Sequence, residues 1–317
     1  MANPTAQVTA TEIRSPIMRE QSYGTNSAAS PAVLPTGILV GRDADGYANM
    51  ADDTKRLIDI GVFYSGGQIV IDSNGSDGDQ TVKTITDVIV PFKISTLSTD
   101  AAARLTYGKA VSALYGDEVQ LGGGVYGNWV GVIVGHRSVT EVLVHVRQLT
   151  QAERIAAMNN STAAASASIG ASSTAELDFS TTFTIPGAEL QAGDVLHLRA
   201  AGRGVAFTGG GSGTFNLYVG AVAVATVVVA TGEAADMFVV DAYCTVRTVG
   251  SSGTIIVNAV QIYDAVGTAT VNYYVASAAI DTTGQQTIKG AHTFSISNAS
   301  HSAVLDQLSL EVIRQAN

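Results

Sequence analysis

The densest group of residues that could bind a metal is the acidic run Asp72 to Asp79, which reads DSNGSDGD. Clustered carboxylates beside glycines suit Ca²⁺, a hard cation that takes many oxygen ligands. The run departs from the EF-hand pattern, because its sixth residue is Asp77 and its twelfth is Lys83. Asn, Asp and Gly are also the residues of tight turns, so we interpret the run as a turn between strands. Calcium binding stays open, and no metal or cofactor is assigned.

The histidines and a glycine-rich run are the residues that could take part in catalysis. Five histidines are spread along the chain: His136, His145, His197, His292 and His301. They form no HExxH motif, and no Gly-x-Ser-x-Gly elbow accompanies them. The run Gly209 to Gly213 has the composition of a phosphate loop, but it lacks the Lys-Ser/Thr ending and a following helix. The sequence therefore predicts a protein that is not an enzyme, with no catalytic, cofactor-binding or metal residues.

Aromatic residues offer a different chemistry, the binding of sugars. Tyr115, Tyr126 and Trp129 flank a glycine-rich loop, where they could stack on a sugar or, as we prefer, pack at one end of a barrel. A shallow sugar site in the second half of the chain could use one of four tyrosines: Tyr218, Tyr263, Tyr273 or Tyr274. A third hypothesis is a carbohydrate hydrolase, which requires two carboxylates that face one cleft.

The composition limits the class of protein. A chain of 317 residues favours two domains, and its 46% hydrophobic residues suffice for two cores. Only 14% of residues are charged, against about 25% in typical domains, so much of the surface is expected to be hidden in an assembly. The net charge of −10 argues against nucleic-acid binding. The single cysteine, Cys244, lies in an apolar run and is predicted to be a buried small residue, which excludes a disulfide scaffold.

The chain lacks the sequence signals of membrane insertion and secretion. Its apolar runs are broken before the roughly 18 residues that a membrane helix needs. The first residues, MANPTAQVTATEIRSPIM, do not show a basic stretch followed by an apolar one. We therefore expect a soluble protein with no membrane partner.

The stretch 149–174 is predicted to join two domains. Its first part, Leu149 to Met158, is predicted to be a short helix, and Ser161 to Thr174 consists almost entirely of Ala, Ser, Thr and Gly, which is typical of a linker. Residues 1–30 are polar and aperiodic, and we expect an extended N-terminal arm that orders on a neighbouring subunit.

Two β domains are predicted around this joint. Residues 31–148 alternate in short apolar runs and end in a hairpin, formed by Trp129 to His136 and Glu141 to Val146. Residues 175–317 contain eight or nine alternating strands separated by glycine-rich turns. The predicted fold is all-β, with an N-terminal small β-barrel domain followed by a C-terminal jelly-roll β-sandwich. The predicted core of the second domain is Phe179, Phe183, Leu196, Leu198, Leu217, Val239, Val246, Ile256 and Leu308.

Part of the first domain resembles the head decoration (cement) proteins of tailed bacteriophages. The resemblance covers residues 35–148 and depends on the order of a Gly-Lys turn at Gly108 to Val111, a Gly/Val strand at Val130 to Gly135, and a closing valine-rich strand at Glu141 to Val146.

The second domain looks like the jelly-roll appendages of phage virion proteins. The similar stretch is 177–224, with a strand that ends in Ile185-Pro186, a Gly193-Asp194 turn, and a later Tyr218-Val219-Gly220. The resemblance implies a structural virion protein that decorates and stabilises a capsid by binding the major capsid protein lattice. It implies a homotrimer on the outer surface of the capsid, made in the host cytoplasm, with the jelly roll as an outward knob. The alternative is a phage fibre or knob that binds a receptor or host-surface glycan.

Self-association is also expected from one uncharged strand. The run Ala221 to Ala230 reads AVAVATVVVA and carries no charged residue. An open strand of this kind invites pairing with another chain, so it must be covered inside the sandwich or by a symmetry mate.

Overall fold

The fold is known from a computed structural model. The structure describes residues 19–24, 33–34, 37–44, 47–54, 56–64, 69–70, 81–95, 99, 106–162, 165–171, 174–204, 212–229, 237–265 and 268–314. Most of these residues lie in β-strands, which confirms the predicted all-β class. The chain divides into two compact units, Met1–Ala157 and Met158–Asn317. This division falls within the stretch 149–174 that was predicted to join two domains.

Within its described residues, the first unit contains short strands and all but the last residue of a helix. Its strands are β1 (Arg19–Gly24), β2 (Val33–Leu34), β3 (Leu39–Arg42), β4 (Ala48–Met50), β5 (Ile58–Phe63), β6 (Ile69–Val70), β7 (Thr81–Thr86), β8 (Val88–Lys93), β9 (Ala110–Tyr115), β10 (Glu118–Leu121), β11 (Trp129–Ser138) and β12 (Glu141–Val146). Helix α1 spans Gln151–Met158, close to the predicted range. Thr150 and Glu153 begin it with a capping box, because the Glu153 carboxylate accepts a hydrogen bond from the Thr150 amide at 2.8 Å and the Glu153 amide donates to the Thr150 hydroxyl at 3.3 Å.

A closed barrel and an open sheet share the first unit. The barrel has the strand order β10-β8-β12-β11-β9, and the open sheet has the order β1-β7-β5-β3-β4. The barrel is therefore smaller than the predicted domain 31–148, since β3, β4, β5 and β7 lie in the open sheet and β2 pairs with β6. Asp87 joins β7 to β8 with a left-handed backbone (φ 66°), a conformation that Asp tolerates better than most residues. The predicted closing hairpin is confirmed, because β11 and β12 pair antiparallel.

One hydrophobic core serves both the barrel and the open sheet. Leu39 and Val62 from the sheet belong to the same buried cluster as Val90, Ile133 and Val144 from the barrel. Burial alternates along β12, as expected for a strand with one face toward a core. The two layers consequently depend on each other for their apolar contacts.

The second unit is made of two sheets. Its strands are β13 (Asn160–Ser161), β14 (Ile169–Ala171), β15 (Leu177–Ile185), β16 (Val195–Gly204), β17 (Gly213–Val219), β18 (Val222–Val229), β19 (Met237–Thr248), β20 (Gly253–Ala265), β21 (Thr268–Ile280), β22 (Gln286–Phe294) and β23 (Asn298–Ile313). One sheet has the order β13-β23-β16-β19-β20-β21, with β14 also paired to β23, and the other has the order β15-β22-β17-β18.

These sheets are jelly-roll-like. If β13 and β14 are counted as one interrupted strand and the hairpin β20–β21 is set aside, eight strands remain. The first, third, sixth and eighth of them lie together as β13/β14-β23-β16-β19, and the second, fourth, fifth and seventh form β15-β22-β17-β18. Such alternation between two four-stranded sheets is the winding of a jelly roll. The hairpin β20–β21 is an addition to this winding, and it extends one sheet only.

Two segments that were predicted to lack a core of their own contribute strands. Within the predicted linker, β13 and β14 pair antiparallel with β23. Within the predicted arm 1–30, β1 pairs antiparallel with β7 in the same unit. Backbone hydrogen bonds to a sheet edge need no large side chains, which is how these small and polar residues are ordered. The other residues of the arm lie outside the described ranges.

Most predicted core residues of the second unit are buried: Phe179, Phe183, Leu196, Leu198, Leu217, Val246 and Leu308. The prediction is wrong for Val239 and Ile256, which are only half-buried. Their strand neighbours Val240 and Val257 are buried instead, because successive side chains in a strand point to opposite faces. Cys244 is buried as predicted, and burial raises the pKa of its thiol to about 12.

A buried ion pair fixes the end of β23. The Arg314 guanidinium contacts both carboxylate oxygens of Asp194, at 2.6 and 2.5 Å, and donates to the Glu189 carbonyl at 2.7 Å. The Asp194 carboxylate also accepts the Gln191 amide at 2.8 Å. These bonds replace the water that both charges lose on burial, so the pair ties the last strand to the turn before β16.

The barrel generates the first prediction, at Gly131. A Cβ added there would overlap the His145 carbonyl oxygen, whereas one added at Gly135 in the same strand would meet only the Leu143 side chain, at 3.3 Å. A backbone obstacle cannot rotate away, so Gly131→Ala should destabilise the protein by about 3 kcal/mol or more, beyond ordinary overpacking. Urea unfolding measures the change, with Gly135→Ala as the matched control. Equal losses in both variants would contradict the close approach of β11 and β12.

Candidate functional site

Two sequence candidates lie largely outside the described residues. These are the acidic run Asp72 to Asp79 and residues 209–211 of the glycine-rich run. Within the described ranges, no group of three or more His, Cys, Asp or Glu side chains could hold a metal ion. Nor does any helix in those ranges have the length and apolar character to span a bilayer.

The five histidines lie on five different strands. His145 contacts Asp87 at 2.8 Å, and His197 contacts Asp241 at 2.9 Å while stacking on Tyr243 at a ring distance of 4.4 Å. Of the remaining three, His136 is hydrogen-bonded to Tyr107, and both His292 and His301 are fully buried. Two of the five histidines therefore pair with carboxylates, one pairs with a tyrosine hydroxyl, and two lie in the interior.

The aromatic residues Tyr126 and Trp129 of the first unit lie at a loop that hydrogen bonds to Asp53 hold in place. The Asp53 carboxylate accepts hydrogen bonds from the Val125 amide at 2.9 and 3.0 Å and from the Gln120 side chain at 2.8 Å. Tyr126 and Trp129 beside this loop are half-buried. The loop therefore has a fixed shape, with two of its aromatic rings partly covered.

The four tyrosines proposed for a sugar site are divided between the two sheets of the second unit. Tyr263, Tyr273 and Tyr274 lie on β20 and β21, whereas Tyr218 lies on β17 in the four-stranded sheet. Of these, Tyr218 has the polar surroundings that a sugar would need. The two sheets therefore present two different surfaces.

The first surface is the outer-sheet site, formed by Glu176, Asp178, Asn216, Tyr218 and Lys289 on the outer face of the four-stranded sheet. The Tyr218 hydroxyl donates to the Glu176 carboxylate at 2.9 and 3.0 Å. The Asn216 amide donates to the same carboxylate at 2.6 Å. Burial raises the pKa of the Tyr218 hydroxyl, and its hydrogen bond to Glu176 raises it further.

A bulge in β15 shapes one side of this site. The pairing of β15 with β22 shifts between Asp178 and Thr182, so the chain bends there. Lys289 on β22 contacts the Asp178 carboxylate at 2.7 Å, and its ammonium lies 5.4 Å from the centre of the Tyr218 ring. The cation therefore lies between an acid and an aromatic face.

An open cleft of about 710 Å³ adjoins the outer-sheet site. Asp178 and Lys289 belong to its lining, together with polar Thr287 and apolar Val222 and Ile280. The cleft thus offers hydrogen-bonding groups and apolar surface side by side. Sequence reasoning had singled out Tyr218 but missed Glu176 and Lys289, which are distant in the chain and meet only through the strand register.

The second surface is the hairpin surface, formed by the exposed apolar residues Ile262, Val271, Tyr273 and Val275 of β20 and β21. Tyr273 is 79% exposed and Val275 is 73% exposed. Within the described chain, β21 is the last strand of its sheet, and its 13 residues include no Asp, Glu, Lys or Arg. The surface therefore combines apolar side chains with a strand edge that no other described strand pairs with.

The uncharged run that was predicted to need cover, Ala221 to Ala230, contains all of β18, which is an edge strand among the described residues. Val224 and Val227 are buried, while Val228 is 54% exposed. The sandwich therefore covers one face of this strand. The sequence signal that marked β18, a run without charge, was equally present in β21 and was overlooked.

Comparisons with known proteins do not identify a family. No protein-family model matches the chain, and no curated protein matches it. Among solved structures, the chain is similar to the functional form of the mosquito-larvicidal Cry4Aa toxin from Bacillus thuringiensis, with 10% identity and a TM-score of 0.19. The match covers 90% of this chain and 44% of the toxin, so the chain spans less than half of that protein. A likeness this weak carries no argument about function.

Buried His292 generates a prediction about pH. Burial among apolar residues lowers its pKa from 6.5 to about 4. Between these values the unfolded chain binds the proton and the folded chain does not, so the free energy of unfolding should fall by roughly 3 kcal/mol as the pH drops through this range. Urea unfolding at pH 7 and pH 4.5 measures the loss. His292→Leu should have a smaller pH dependence than the unaltered chain, and an identical dependence would refute the assignment.

Proposed function

We propose that the chain is a structural virion protein that decorates and stabilises a bacteriophage capsid, with an N-terminal barrel domain and a C-terminal jelly-roll domain. The observation that supports this proposal is the hairpin surface. A long, uncharged edge strand with exposed tyrosine and valine is hazardous in an isolated protein, since such edges template association. In a shell protein the same surface becomes a subunit contact.

The proposed contacts follow from the chemistry of the surface. Interfaces between subunits are enriched in aromatic residues and depleted of charge at their centres, which is the character of the surface around Tyr273 and Val275. We assign this surface to contacts between copies of the chain. The resemblance to cement proteins leads us to propose three copies in a closed ring, in which each hairpin surface is covered by a neighbour.

The first domain is proposed to bind the major capsid protein lattice, and the jelly-roll domain to face outward from the capsid. Stabilising a shell needs contact area and shape complementarity rather than a reactive site. The low fraction of charged residues, 14%, suits a protein whose surface is largely covered in the particle.

The test is the number of copies per particle. Quantitative mass spectrometry of purified particles, with labelled peptides of this chain and of the major capsid protein, measures their ratio. A decoration protein is expected in many copies, in a fixed proportion to the capsid protein. A handful of copies, found with the tail fraction after disruption, would reject decoration and favour a fibre or knob.

The hairpin surface generates a prediction about assembly. Val275→Lys places a charge in the proposed subunit contact, so it should dissociate the purified oligomer to a chain of 32.5 kDa at micromolar concentration. Ser252→Lys adds the same charge at an exposed turn before β20 and is the matched control, which should keep the oligomer. Light scattering coupled to size exclusion measures the mass, and thermal melting checks that both variants fold. A variant that folds and keeps the oligomer would rule out this contact.

A further inference from the structure

The outer-sheet site has features that capsid binding does not explain. Glu176 lies just before β15, Asn216 and Tyr218 lie on β17, and Lys289 lies on β22. Thr182, Lys289 and Tyr218 occupy one row across the sheet, because both flanking residues pair with Lys289. Three strands therefore direct polar and aromatic groups toward one patch of surface.

The hydrogen bonds of this patch hold its groups in fixed positions. The Thr226 hydroxyl donates to the Asn216 oxygen at 2.8 Å, and the Asn216 nitrogen donates to Glu176 at 2.6 Å. Tyr218 reaches the same carboxylate at 2.9 Å. A carboxylate has about four acceptor positions, so Glu176 can still accept from a ligand while its own orientation is held. A preorganised acceptor binds a ligand with less loss of conformational entropy.

The charges of the patch select the class of ligand. Glu176 and Asp178 are acids on the surface, Asp281 lines the adjoining cleft, and Lys289 is the cation that partly offsets them. The excess of negative charge disfavours phosphates, carboxylates and nucleic acid. The acceptors suit a neutral molecule with many hydroxyl donors, and Lys289 can donate to one of its oxygens.

The apolar parts of the patch suit the same class. The Tyr218 ring and the apolar cleft residues Val222 and Ile280 can pack against the C–H face of a pyranose, while hydroxyls meet the acids. A cleft of about 710 Å³ accommodates a short oligosaccharide and is open enough to admit a chain end. Few other neutral molecules combine apolar faces with hydroxyls on every edge.

We infer that the outer-sheet site binds neutral carbohydrate, with Glu176 and Asp178 as hydroxyl acceptors, Lys289 as a donor and Tyr218 as the packing surface. This inference goes beyond capsid decoration and does not depend on it. A protein on the surface of a particle could use such a site to retain the particle on a glycan-coated surface.

The experiment measures sugar binding by the full chain without any capsid, so its outcome is independent of the decoration proposal. Immobilised oligosaccharides of glucose, galactose and mannose are the neutral probes, and sialyllactose is the anionic probe. Titration calorimetry then gives the affinity for the neutral probe that binds. We expect binding to a neutral probe, and weaker or absent binding to sialyllactose.

Variants locate the binding site. Tyr218→Ala and Glu176→Gln should each weaken binding by about tenfold or more, because each removes a direct contact and disturbs the bond between the two residues. Tyr64→Ala, which removes an exposed tyrosine from the first unit, is the matched control and should leave the affinity unchanged. Lys289→Met, which keeps the length of the side chain, provides a second test if Tyr218→Ala melts at a lower temperature.

Three outcomes would overturn the inference. The first is that no neutral probe binds the folded chain. The second is that a neutral probe binds with the same affinity to the chain with Tyr218→Ala, Glu176→Gln or Lys289→Met. The third is that sialyllactose binds more tightly than its neutral counterpart, which would make the site one for anions.

Discussion

This structure depends on one constraint: the backbone N–H and C=O groups of every strand need hydrogen-bond partners. An edge strand presents unpaired N–H and C=O groups that must meet water, another segment or another chain. In the second unit, the short strands β13 and β14 cover the edge of β23. At the opposite end of the same sheet, β21 has no such cover among the described residues. The proposed contact between copies of the chain would cover the edge of β21.

The same constraint explains how segments of low hydrophobicity become ordered. The sequences of the predicted linker and arm contain few large apolar residues, yet β14 pairs with β23 and β1 pairs with β7 through backbone hydrogen bonds. The jelly-roll winding leaves the four-stranded sheet with a polar outer face, on which Tyr218 and Glu176 meet. The two proposed functions therefore use different parts of the second unit. Assembly uses the hairpin β20–β21, and sugar binding uses the outer face of the four-stranded sheet.

Local patterns predicted the strand content, the short helix and most of the core, because alternation and helix signals act over a few residues. Val239 and Ile256 were misplaced because apolar residues occupy both faces of β19 and β20, so alternation could not fix the inward face. The bond between Tyr218 and Glu176 spans 42 residues and depends on register across three strands, which no local pattern encodes. The exposed β21 was overlooked because an apolar run is equally typical of a buried strand.

Hydrogen–deuterium exchange over Thr268 to Ile280 tests most directly whether the edge of β21 is covered in the assembled protein. The amides of β21 that do not bond to β20 should exchange slowly in the unaltered chain at micromolar concentration, and at least tenfold faster in the dissociated Val275→Lys variant. Rapid exchange of those amides in both proteins, with the rest of the sheet equally protected, would show that β21 is open to water and would contradict assembly through this edge.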